Sequence, residues 1–147
     1  MRRGRRARVL APALCAAATL TLAASALAGC GRVASDVFVV TRGGSGPHAR
    51  LTLLVNEEGV VHCNGGAPLR LSDPEIVKAR DIQEELHGPA SKHLTLAAQP
   101  GSVLSYYVRD VDGTVRFSDN SSGQPAVLRK LALFVLQTSQ QLCHLPQ

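Results

Sequence analysis

Between residues 37 and 63, apolar side chains recur in short runs separated by glycine-rich and polar turns, which is the pattern of strands. Val37 to Thr41 is β-branched and aromatic and reads as a strand partly buried on both faces, broken by Gly43-Gly44-Ser45-Gly46-Pro47. Arg50 to Val55 reads as a second strand. Asn56-Glu57-Glu58-Gly59 has the chemistry of a bulged hairpin turn, with Gly59 suited to the left-handed position, and Val60 to Cys63 is the returning strand.

The period then lengthens. Ser72-Asp73-Pro74-Glu75 is a helix start, in which Ser72 caps, Glu75 completes a capping box and Pro74 fits the first turn. Ile76, Ala79, Ile82 and Leu86 share one face, so the spacing predicts a surface helix to His87 that ends at Gly88-Pro89. After an extended segment at Leu94 to Ala97 and a turn at Pro100-Gly101, Val103 to Val111 and Thr114 to Ser118 flank Asp112-Gly113. A two-residue loop there puts Tyr106, Val108, Val115 and Phe117 on the core face. It also sets Arg109 opposite Arg116, an unfavourable like-charge pair unless an acid or an anionic partner lies nearby.

The last element starts near Pro125 and runs through Val127, Leu128, Leu131, Phe134, Val135 and Leu142 as a long helix. Its Leu131 to Leu136 run is apolar nearly all round, so the helix is either covered on two sides or offers an apolar strip to a partner. The order of elements predicts an α+β domain, an antiparallel sheet of four to five strands in two hairpins packed against two helices.

The first residues follow another grammar. Arg2, Arg3, Arg5, Arg6 and Arg8 precede an uncharged Ala- and Leu-rich stretch from Val9 to Leu27, which ends in Leu27-Ala28-Gly29-Cys30. This resembles the signal and lipobox of bacterial lipoproteins, which implies removal of residues 1–29, a lipidated tether at 30–35 and a single domain at 36–147. Cys30 would carry the lipid and anchor the chain to the extracytoplasmic face of the cell membrane. An uncleaved span and ordinary signal cleavage without lipid are the alternatives. Pro12, Ser25 and the small residues before Cys30 weigh against the span. Arg8 stands where a twin-arginine signal needs an apolar residue, so general secretion is the expected route.

Cleavage changes the meaning of the charge. The whole chain carries +5, but five of its 16 basic residues would leave, and the remaining 11 face 11 acidic residues. A neutral exported domain gives no warrant for nucleic-acid binding. With no Trp, three Phe and two Tyr, its core must be mainly aliphatic.

With Cys15 in the signal and Cys30 assigned to lipid, Cys63 and Cys143 remain. In an oxidising compartment they read as one disulfide. A zinc site made with the adjacent His62 and His144 is the alternative, disfavoured because neighbours on a strand point to opposite faces. No nucleophile elbow, zinc-protease helix, Walker loop or Ser-x-x-Lys pair occurs, so neither catalytic residues nor a cofactor are expected. The Gly43 to Gly46 stretch could offer N–H groups to an anion, but it lacks the Lys-Ser/Thr ending of a phosphate loop. Asp110-Val111-Asp112-Gly113 opens like a calcium loop without its distal Glu, and Asn120-Ser121-Ser122 matches a glycosylation acceptor in a loop before a helix.

Several local patterns come in a telling order: Arg42-Gly43-Gly44 after the first strand, an acidic central helix, Tyr106-Tyr107-Val108, Asp112-Gly113, Val115-Arg116-Phe117-Ser118-Asp119, then Pro125 with Leu128 and Leu131. In these the exported domain resembles the emfourin-like family, small proteins that inhibit thermolysin-type metalloproteases by forming a tight complex. The resemblance spans about residues 36 to 142. It implies a non-catalytic protein-binding module with an extracellular metalloprotease as partner. The chain departs from the family in its cysteine pair, its lipid anchor and Ser45, where the family tends to carry an aromatic or apolar residue; no inhibitory contact residue carries over. The alternatives are a carrier of a lipid or other apolar small molecule, held between sheet and closing helix, and a structural component of the envelope.

Overall fold

The computed structural model describes residues 35–46 and 48–145, so the expected signal, Cys30 and nearly all of the tether lie outside the described residues. The runs read as strands pair into one antiparallel sheet in the order β4-β3-β2-β1-β5-β6. Its strands are β1 (Asp36–Gly44), β2 (Leu51–Asn56), β3 (Val60–Cys63), β4 (Leu69–Arg70), β5 (Leu104–Arg109) and β6 (Thr114–Ser118), and its helices are α1 (Asp73–Ser91) and α2 (Ala126–Gln141). The fold is α+β, with six strands where four to five were expected. The added strand, β4, is two residues paired to Val60 and Val61, too short to show a period.

Alternation divides the sheet into a covered and an open face. Phe38, Val40, Leu51, Leu53, Val55, Val61, Tyr106, Val108, Val115 and Phe117 point inward to meet Ala79, Ile82 and Leu86 of α1 and Leu128, Leu131, Phe134 and Val135 of α2. A bulge between Asp36 and Phe38 lets Val37 join the buried set beside Phe38. Among the described residues the buried core and the disulfide lie between residues 37 and 143, so this segment carries its own core and cross-link.

Four details depart from the sequence reading. First, β1 runs on through Gly43 and Gly44, which pair with Ser105 and Leu104 instead of breaking the strand. Glycine is what permits this: at Gly44 φ is 147°, and a Cβ there would collide with the Val103 carbonyl oxygen.

Second, α1 passes through Gly88-Pro89 to Ser91. Pro89 removes one backbone donor, yet the face Ala79, Ile82, Leu86 extends to Ala90, which is buried, and that burial holds the last turn down. At the other end Glu75 accepts hydrogen bonds from the Ser72 N–H and hydroxyl, each 2.7 Å, and these hold its carboxyl below the ordinary range.

Third, the β5–β6 register differs by two residues from the expected one. Asp110 Oδ1 accepts the N–H groups of Asp112 and Gly113, a side-chain-built turn that moves the tip to Val111-Asp112. Arg109 therefore faces Thr114, and Arg116 faces Tyr107 with its guanidinium carbon 4.2 Å from the ring centroid. The expected arginine clash is replaced by a cation–π contact on the open face. The core face survives the shift with new partners, Val108 opposite Val115 and Tyr106 stacked on Phe117 at 4.7 Å.

Fourth, the extended segment after α1 joins the outer edge of the sheet. Thr95 bridges Arg116 in parallel, so β6 does not present a bare edge along this stretch.

The hairpin tip is tied to α1 by His87 Nδ1 and Asp112 Oδ2, 3.0 Å apart. The hydrogen bond to Asp112, and then its charge, raise the His87 pKa above 6.5. A raised folded-state value favours the protonated folded state, so this contribution is complete below pH 6.5 and fades as pH rises through the folded pKa. NMR titration should give a His87 midpoint above 6.5 that returns toward it in Asp112→Asn. An ordinary midpoint in the unaltered chain would show that the pair does not form in solution.

Candidate functional site

Continuation of β1 past Thr41 has a chemical consequence. The inward row Phe38, Val40 reaches Arg42, which lies beside Leu51 and Tyr106 and is only 6% exposed. Arg42 Nε donates to the Ala49 carbonyl and Nη2 to the His48 carbonyl, both at 3.1 Å, while Nη1 has no hydrogen-bond partner among the described residues. All 11 acidic side chains of the protein fall in the described segments, and none forms an ion pair with Arg42. Asp119 is already engaged by Ser102 Oγ at 2.8 Å and by the N–H groups of Val103 and Leu104 at 3.2 Å.

Arg42 lines a cleft of about 310 Å³ at the C-terminal end of α2, with Val103, Leu104, Leu136, Ser139 and Gln140 among its other walls. Ser139 Oγ donates to the Leu136 carbonyl at 2.7 Å, and the Gln140 amide nitrogen is buried without a partner. A buried cation is ordinarily neutralised by an acid or a ligand. Here two backbone carbonyls satisfy part of its hydrogen bonding and none of its charge. The arrangement can accept a single negative charge beside an apolar surface.

A second surface lies between the helices. Leu133, 52% exposed, sits in a shallow groove of about 380 Å³ with Lys78, Asp81, Glu84, Glu85 and Lys130 around it. Lys130 pairs with Glu85 and Lys78 donates to Gln137 Oε1, so two cross-links between the helices fix the groove walls. The closing helix is thus covered on its sheet side and carries an apolar strip, Leu133 and Leu136, on the outside. Among the described residues no helix is long and apolar enough to cross a membrane.

The residues singled out from sequence fall as follows. Cys30 is outside the described residues. Cys63 and Cys143 are joined, with an S–S distance of 2.03 Å and Cα atoms 5.8 Å apart, so neither is a thiolate ligand. His62 points to the open face, its Nδ1 2.9 Å from the Gly66 carbonyl, while Cys63 pairs with Leu53 on the covered face. In the Asp110 to Gly113 stretch Asp110 Oδ1 closes the turn, Asp112 pairs with His87, and Asp110 Oδ2 is buried without a partner. The Asn120 amide bridges Gln99 and Pro100. Among the described residues no three His, Cys, Asp or Glu side chains cluster in a manner that could hold a metal ion.

Arg42 was not anticipated as a buried charge. The signal for it was the alternation Phe38, Val40, Arg42, which counts only if the strand passes Thr41. No family model, curated protein or solved structure matches this chain.

Proposed function

We propose that this chain is an exported lipoprotein, anchored through Cys30, whose domain is a non-catalytic module that binds a protein partner. A restrained extracellular thermolysin-type metalloprotease is the partner that the emfourin-like resemblance suggests. The observation that carries the reading is Leu133, exposed in the groove between two helices and ringed by charged side chains. An apolar centre inside a charged rim is the anatomy of a protein interface. The Cys63–Cys143 disulfide supports the exported compartment.

The test titrates oxidised residues 31–147 into thermolysin, beside capture of envelope proteins by the anchored full chain. Saturable inhibition, or one recurrent envelope partner, is expected, and Leu133→Arg should weaken either by roughly 30-fold or more while leaving thermal stability unchanged. If both assays are empty, or if Leu133→Arg binds as the parent does, this reading falls.

The Arg42 cleft favours a second reading, carriage of an apolar small molecule. The space between sheet and closing helix is filled by Phe38 and Phe134, packed edge to face at 5.9 Å, so such a ligand would sit at the end of α2 instead.

A further inference from the structure

We propose that the cleft at Arg42 binds a small carboxylate carrying an apolar tail, with the guanidinium and the Gln140 amide on the carboxylate and the tail against Val103, Leu104 and Leu136. The proposal rests on the small-molecule reading and gives its ligand a chemical class; it does not depend on a protein partner.

Three observations converge. Arg42 is a charged side chain in the inward row of a central strand, where an apolar residue would fill the space with no desolvation cost. Its two carbonyl contacts could be made by a neutral donor, so they do not account for a charge at this position. The Gln140 amide nitrogen, buried and without a partner, lines the same cleft. An unmade hydrogen bond and an unbalanced charge at one place are both relieved by one carboxylate.

The charge selects the head group. Arg42 supplies one positive charge, which a carboxylate balances, whereas a phosphate dianion would leave a charge uncompensated against Val103, Leu104 and Leu136. The volume selects the size, since about 310 Å³ is at the lower end for small-molecule sites. A short-chain amphiphile fits this limit.

The experiment follows the backbone amides of oxidised residues 31–147 by NMR during titration with octanoate, with octanamide as the uncharged isostere and with inorganic phosphate. Octanoate is expected to give saturable shifts at Val103, Leu104, Ser139 and Gln140, with a midpoint at least about tenfold below that of octanamide. Arg42→Gln should abolish this preference. Because Arg42→Gln also disturbs the bonds to Ala49 and His48, the partly exposed Leu136→Glu serves as a second variant: it places a carboxylate in the wall and should suppress octanoate binding without unfolding the domain.

Equal midpoints for octanoate and octanamide would overturn the carboxylate assignment and leave the apolar-carrier reading standing. No saturable shift with either would overturn both. Phosphate binding as tight as octanoate would make the site one for a bare anion, against the proposal.

Discussion

Reducing the Cys63–Cys143 bridge is expected to destabilise the domain by about 4 to 5 kcal/mol, the loop-closure entropy released for a separation of 80 residues. The bridge joins the end of β3 to the residues that follow α2, so its loss frees the two ends of the fold at once. A domain of this size has a total stability of about 5 to 15 kcal/mol, and the reduced form should therefore stand close to unfolding at physiological temperature. The melting temperature should fall by roughly 15 to 25 °C. Comparing urea unfolding of the oxidised segment with that of the Cys63→Ala/Cys143→Ala double variant measures the effect. The midpoint should drop much more than the slope accounts for. Stabilities within about 1 kcal/mol of each other would mean that the unfolded chain is already constrained without the bond. With the expected loss, correct folding depends on an oxidising compartment.

The parts legible from sequence were those whose pattern repeats. Alternation placed Tyr106, Val108, Val115 and Phe117 on the core face, and the 72–75 start with the Ile76 to Leu86 spacing placed α1. A two-residue strand has no period, so β4 stayed hidden. The remaining departures come from one signal overriding another, tertiary at the end of α1 and local at the β5–β6 turn. Gly88-Pro89 normally stops a helix, yet the gain from burying Ala90 carries α1 across it. Asp112-Gly113 is a strong turn signal, yet Asp110 two residues earlier captures both of its N–H groups and resets the register.

The same kind of override hid the cleft. Two glycines after Arg42 read as a strand break, and that left Arg42 outside the strand expected at Val37 to Thr41. In the fold those glycines are the close-approach positions that let β5 pair alongside, and they carry Arg42 inward. The alternation Phe38, Val40, Arg42 becomes informative only once the pairing of Gly43 and Gly44 with β5 is known. The groove at Leu133 was half legible: the run Leu131 to Leu136 announced an apolar strip, but only the position of α1 shows that Leu133 lies between two helices and not alone on one.

Phe38→Ala and Phe134→Ala are each expected to cost about 3 to 5 kcal/mol, the range for deleting a buried ring without collapse of the space it leaves. Both rings are almost fully buried, one on the central strand and the other on the closing helix, and they meet edge to face with centroids 5.9 Å apart. With so few aromatics in the chain, few other rings can move in to fill the gap. The pair is the main aromatic contact between sheet and α2, so its loss should also loosen the helix that carries Leu133 and borders the Arg42 cleft. A double-mutant cycle in urea separates the two effects. The double variant should lose about 0.5 to 1.5 kcal/mol less than the two single losses added together, the coupling of an edge-to-face pair. Full additivity would show that the rings stabilise the fold by filling volume alone. A single loss below about 1.5 kcal/mol would mean that α2 settles onto the sheet without either ring. In that event the positions of Leu133 and Leu136 would be set by the disulfide and the Lys130–Glu85 pair instead of the core.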